Sequence, residues 1–300
     1  MPIEPCSGAG AGRRSVARVT VGSVTAPTTG FADLADVELT QVVVEGGTLS
    51  LACAGEGPPL LLLHGWTLDG RMWTPQIAPL SQRFRIIVPD RRGFGRSTAP
   101  PDLVKEVDDI VRIADTLRMD RIALCGLSQG AAIALAFAIR HPARVSALLL
   151  CGTPLPGLVP DPDAIPLDQL AALALQGEQE RLRRTVLALP LMQLPNGPGA
   201  ELIEAIIGCY AGRDLAVPSA LPPFAVRDIA SLPMPLLAMA GERDNRWRVA
   251  CARFLAETAP NATLAMIKFA GHLANVGEPE AFTLAVREFL AAAANLGDED

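Results

Sequence analysis

The pentapeptide Gly126-Leu127-Ser128-Gln129-Gly130 constrains this chain more than any other segment, because of what flanks it. Ahead of it, Arg121 to Cys125 is a short apolar run of the kind that forms a buried strand. Behind it, Ser128 to Arg140 is an Ala-rich apolar stretch of helical length, ended before Pro142. Strand and helix must therefore meet across a very tight turn, and a serine inside such a turn is held in a strained backbone conformation. Glycines at 126 and 130 remove side chains that would collide where strand and helix approach. The serine hydroxyl then stands at the C-terminal edge of a sheet, beside a helix N-terminus that favours developing negative charge.

The same rhythm runs through most of the chain. Val42 to Glu45 and Leu49 to Ala54 read as strands of a hairpin turned at Gly46-Gly47. Leu60 to Leu63, Arg85 to Val88, Arg121 to Cys125 and Val145 to Cys151 read as strands buried on both faces, as parallel sheets require. Helices are expected over Trp73 to Leu80, starting near Pro75, and over Val107 to Leu117, whose apolar residues recur at helical spacing. Alternating strands and helices predict a mostly parallel α/β sheet. Residues 154–235 break the rhythm: they are proline-rich, have helical stretches at Leu167 to Leu175 and Leu182 to Leu189, and contain no buried-strand run. The rhythm resumes with strands at Leu236 to Ala240 and Thr263 to Ile267 and helices at Arg246 to Thr258 and Pro279 to Ala294. The expected division is a core of residues 37–153 and 236–300 with a helical insertion at 154–235.

Half of the 300 residues are hydrophobic and 19% are charged, enough for a sizeable core. The formal net charge of -6 gives no basic footprint for nucleic acid, and no apolar run reaches the roughly 18 residues of a membrane span. Six dispersed cysteines without a CxxC pair read as buried thiols in a reducing, cytoplasmic setting. The three histidines lack zinc-site spacing, so no metal is expected. Residues 1–36 lack the continuous apolar core of a secretory signal and read as a disordered tail, with an organelle-targeting peptide as the alternative. Their Gly8 to Gly12 run follows no strand and is not a dinucleotide loop.

A serine hydroxyl needs a base to take its proton and a third group to orient that base. His272, in the loop after the last predicted strand, is the expected base. Asp244, in Gly241-Glu242-Arg243-Asp244 after the strand Leu236 to Ala240, is the expected acid. Glu242 lies too close to the strand end, Asp228 belongs to the insertion, and no acid follows Cys151 closely. Two N–H donors must meet the oxyanion of an acyl-transfer intermediate. The expected donors are the backbone N–H of Gln129 and that of Trp66 in the loop His64-Gly65-Trp66. His64 is expected to organise that loop, with Gly65, Gly126 and Gly130 in support. Asp90 to Ser97 reads as scaffolding beneath the same edge. Arg181, Arg183 and Arg184 of the insertion read as a solvated surface.

Taken in order, His64-Gly65-Trp66, Asp90 to Ser97, Gly126 to Gly130, Gly241 to Asp244 and Gly271-His272 resemble the α/β-hydrolase superfamily, whose triads run serine, acid, histidine. The stretch Gly271 to Phe282 is similar to 3-oxoadipate enol-lactonases and related small carboxylesterases, although Gln129 and Ala131 depart from that subgroup. The resemblance implies a serine hydrolase acting on a small-molecule carboxylic ester or lactone without a cofactor, with residues 154–235 as a helical cap over the site. The superfamily also includes cofactor-free perhydrolases, carbon–carbon bond hydrolases and small-molecule receptors. Ser128 argues against the members that use an aspartate nucleophile.

Overall fold

The computed structural model describes residues 31, 34, 36–157, 159, 165–217, 220 and 224–296. Most of the expected tail 1–36, including Gly8 to Gly12 and Cys6, and the last four residues lie outside the described residues. Phe31 is described and buried, with the Arg96 guanidinium over its ring at 5.2 Å.

The chain forms β1 (Glu38–Val44), β2 (Gly47–Ala54), β3 (Pro59–Leu63), α1 (Thr74–Ser81), β4 (Arg85–Pro89), α2 (Glu106–Thr116), β5 (Ile122–Leu127), α3 (Gln129–Arg140) and β6 (Val145–Cys151). Then come α4 (Leu167–Leu175), α5 (Gln179–Leu187), α6 (Pro198–Ile207) and α7 (Val226–Ala230). It closes with β7 (Leu236–Gly241), α8 (Arg246–Thr258), β8 (Ala262–Ile267), α9 (Ala274–Gly277) and α10 (Pro279–Leu296). The eight strands make one sheet in the order β1-β2-β4-β3-β5-β6-β7-β8. β2 alone runs opposite to the other seven strands; β4, β3, β5, β6, β7 and β8 pair in parallel.

Side chains alternate across a strand, so a fully apolar strand demands cover on both faces. In β3, Leu60 and Leu62 join one buried cluster and Leu61 and Leu63 the other. The first cluster takes Ile77 of α1 and Phe282 and Val286 of α10. The second takes Ile110 of α2, most of α3 and Cys251 and Leu255 of α8. Each fully buried leucine contributes roughly 1.5–3 kcal/mol of transfer free energy. Helix α3 is apolar all round and is buried from Gly130 to Ala138.

The hairpin turn sits one residue earlier than the sequence suggested. Val44 pairs with Gly47, so Glu45-Gly46 is the turn, and Gly46 takes the left-handed φ of +84°. Gly47 is a glycine for another reason: a Cβ there would lie 2.7 Å from the Ala99 nitrogen. Helix α3 likewise begins at Gln129, leaving Ser128 at its N-cap.

Parallel strands place their carboxyl ends on one edge, where α/β proteins hold their sites. The loops after β3, β5, β6, β7 and β8 therefore converge. Between β6 and β7 lies the insertion. Its described residues form helices and no strand, and Leu170, Leu182, Ile203 and Ile207 are buried in the first cluster. No helix among the described residues is long and apolar enough to cross a membrane.

Candidate active site

The turn after β5 is as tight as its glycines imply. A Cβ on Gly126 would lie 2.6 Å from the Ala131 nitrogen, and one on Gly130 would overlap the carbonyls of Leu63 and His64. Gly130 thus lets the start of α3 press against the loop after β3. Ser128 adopts φ 55°, ψ -119°, a conformation that costs on the order of 1–3 kcal/mol. Its surroundings impose it: the Ser128 N–H donates to Cys151 O at 2.8 Å and its carbonyl accepts from Ala132 N at 3.1 Å.

The loops after β7 and β8 bring two more side chains to this point. His272 Nδ1 lies 2.9 Å from Asp244 Oδ2, and each side chain is only 2% exposed. The other carboxylate oxygen accepts from Asn245 N at 2.7 Å. A carboxylate only accepts, so Nδ1 is the donor, and in the neutral imidazole the lone pair is then on Nε2. That Nε2 is buried and has no hydrogen-bond partner among the described residues. Glu242 is exposed and accepts a long bond from Phe269 N, while Asp228 lies on α7.

The sequence reading missed the residue that makes room for this pair. Gly152, at the end of β6, has φ +56°, and a Cβ there would lie 2.9 Å from His272 Cε1 and 3.3 Å from Asp244 Oδ2. Nothing in a lone glycine after an apolar strand signals that proximity.

His64 is fully buried. Its Nδ1 donates to Gly65 O at 2.8 Å and its Nε2 accepts from Arg91 N at 2.9 Å. Burial pushes its imidazole well below the usual range, and the Arg91 guanidinium pushes the same way. Because the folded protein keeps His64 neutral while the unfolded chain protonates it near pH 6.5, the unfolded state binds more protons below that pH. Stability from this group is therefore present above pH 6.5 and is lost as pH falls. Urea unfolding is expected to show stability falling as pH drops below 6.5, by on the order of 1 kcal/mol per pH unit from His64 alone. His64→Asn should remove that increment of acid sensitivity; an unchanged pH slope would contradict it.

Arg91, taken from sequence only as part of a scaffold, is the hub beneath the site. Its guanidinium binds both oxygens of Glu106 at 2.6 and 2.8 Å, His64 O at 2.9 Å and Gln129 Oε1 at 2.8 Å. Arg91 and Glu106 are both buried. One side chain thus ties the loop after β3 to the first residue of α3. Across a trans peptide, C=O and N–H point in opposite directions. With Gly65 O held down by His64, the Trp66 N–H points the other way. Neither Trp66 N–H nor Gln129 N–H has an acceptor among the described residues.

Ser128, Gln129, Trp66 and His272 share the wall of one cavity of about 370 Å³. Leu68, Phe94 and Leu127 line it from the core, and Ile165, Met192 and Leu215 from the insertion. Arg181, Arg183 and Arg184 do not line it: Arg181 pairs with Glu178, Arg183 donates to Tyr210 O and Arg184 is exposed.

A family described as the alpha/beta hydrolase fold matches residues 58–202. The chain is 30% identical to a thermophilic esterase from Thermogutta terrifontis, with a TM-score of 0.71 over 86% of this chain and 99% of that one. It is 26% identical to the enol-lactonase of Burkholderia xenovorans LB400, with a TM-score of 0.72 over 84% of this chain and all of that one. A pimeloyl-[acyl-carrier protein] methyl ester esterase of Vibrio campbellii is 27% identical over 79% of this chain and 96% of its own length. Parallel sheet, loop convergence and these likenesses agree that the chain belongs to the α/β-hydrolase superfamily.

Proposed function

We propose that this chain is a serine hydrolase that cleaves a carboxylic ester or lactone through an acyl-enzyme. Ser128 is the nucleophile, His272 the general base, Asp244 the group that orients it, and the N–H groups of Trp66 and Gln129 the oxyanion donors. The observation that carries this reading is the His272 imidazole: Nδ1 is fixed on Asp244, and Nε2 is buried, unpartnered and beside the cavity that Ser128 also lines.

The steps follow from these positions. Ser128 Oγ attacks the carbonyl carbon as its proton passes to His272 Nε2. The carbonyl electrons move to oxygen, where the two N–H groups receive the charge. The carbon–oxygen bond to the alcohol breaks, and the alcohol leaves with the proton from Nε2. Water then attacks the acyl group, giving its proton to Nε2. Collapse releases the acid and returns the proton to Ser128. Ester and water become acid and alcohol, with no cofactor required.

Residues 154–235 act in this reading as the cap, supported by the apolar side chains they add to the cavity. The esterase and lactonase relatives support the bond type. A fluorophosphonate probe followed by peptide mass analysis tests the assignment: the expected adduct is on the peptide holding Ser128. Labelling elsewhere, or none in a protein that hydrolyses esters, would count against it.

A further inference from the structure

Among the described residues, the insertion reaches the oxyanion loop through a polar contact at Trp66. The Trp66 indole Nε1 donates to Asp214 Oδ2 at 2.7 Å, across 148 positions of sequence. The other oxygen, Oδ1, accepts from the Tyr210 hydroxyl at 2.8 Å. Tyr210 is itself fixed: it is buried and stacks on Phe94 at 6.4 Å and 11°, and Phe94 meets the edge of His64 at 5.3 Å. Burial and the Asp214 carboxylate push the Tyr210 phenol up, so it stays a donor. On the core side the Trp66 carbonyl accepts from Thr67 Oγ1 at 2.7 Å, and Thr67 sits at φ 63°. The Trp66 residue is thus held at its backbone by the core and at its indole by the insertion. Asp214 and Trp66 both line the cavity.

We propose that Asp214 is a positioning residue that, through the Trp66 indole, fixes the backbone N–H of Trp66 where the oxyanion forms, so that seating the insertion and completing the oxyanion hole are one event. This inference rests on the acyl-transfer reading above. Asp214 touches no reacting atom; it acts through the tryptophan. Geometry at 214 matters more than charge: both of its partners are neutral donors, and an amide oxygen in the same place still accepts from the indole, though less strongly than a carboxylate. The Tyr210 hydroxyl can rotate to accept from the amide nitrogen.

The test uses the full chain, an aryl ester substrate, and an aryl trifluoromethyl ketone whose serine adduct places an oxyanion in the same position. Asp214→Ala is expected to lower kcat about 10- to 100-fold with little change in KM, and to weaken the ketone by a similar factor. A ground-state competitor lacking the ketone should bind as before. Trp66→Phe, which removes the indole donor together with part of the ring, should give at least the same loss, and adding Asp214→Ala to it should cost nothing further. Asp214→Asn should recover most of the activity.

A merely structural contact would instead raise KM, lower stability and leave the ketone-to-competitor ratio unchanged. Should Asp214→Ala fail to fold, Trp66→Phe carries the same expectation. Wild-type kcat and ketone affinity in either variant would overturn the inference, as would an Asp214→Asn as impaired as Asp214→Ala. Fluorophosphonate labelling of Ser128 with unimpaired variants sinks this inference alone. A wild-type protein that neither labels, nor turns over ester, nor binds the ketone sinks the acyl-transfer reading and this one with it.

Discussion

Ser128→Ala is expected to lower kcat for an activated aryl ester by a factor on the order of 10⁴ to 10⁶ and to leave the fold intact. Among the described residues the hydroxyl has no hydrogen-bond partner that holds the turn together; the backbone N–H and carbonyl of Ser128 do that work, through Cys151 and Ala132. Alanine preserves both. Ester binding should also survive, because the apolar walls from the core and the insertion are untouched. Circular dichroism and thermal unfolding check the fold, and multiple-turnover kinetics check the chemistry. Near-normal turnover in a folded variant would remove Ser128 from the mechanism.

Asp244→Asn is expected to cost on the order of 10⁴ in kcat, for a reason specific to this loop. Asp244 Oδ1 accepts from Asn245 N at 2.7 Å while Oδ2 faces His272 Nδ1. An asparagine keeps its oxygen on the Asn245 N–H, which turns its NH₂ toward the imidazole. Nδ1 must then accept, the proton moves to Nε2, and the base meets the serine with its lone pair already occupied. Because shape is conserved, thermal stability should change little while kcat collapses. A variant within tenfold of wild type would exclude Asp244 as the orienting group.

What the sequence made legible follows from how parallel sheets are built. Strands buried on both faces must be apolar throughout, so β3, β5, β6 and β7 could be placed within a residue or two of where they lie. The strained serine turn was readable because its glycines are steric necessities. The hairpin turn was misplaced by one residue, since adjacent glycines do not reveal which one takes the positive φ. Short α9 escaped notice because four residues carry no period. The deeper gaps are long-range. The Arg91–Glu106 pair spans 15 positions across a loop and the Trp66–Asp214 bond spans 148. Neither separation belongs to a helix or strand repeat, so no local pattern encodes it. Gly152 was silent for the same cause: its neighbours in space, His272 and Asp244, come from two other loops.

The bare backbone at position 152 has a consequence for anyone remodelling this molecule. Even a methyl group there would intrude on the imidazole and its acid, so position 152 has to stay bare. On the insertion's side the cavity is lined by side chains rather than by bare backbone. Libraries aimed at new specificities belong at Ile165 and Met192, which line the cavity from the insertion and take no part in the His272–Asp244 or Trp66–Asp214 contacts.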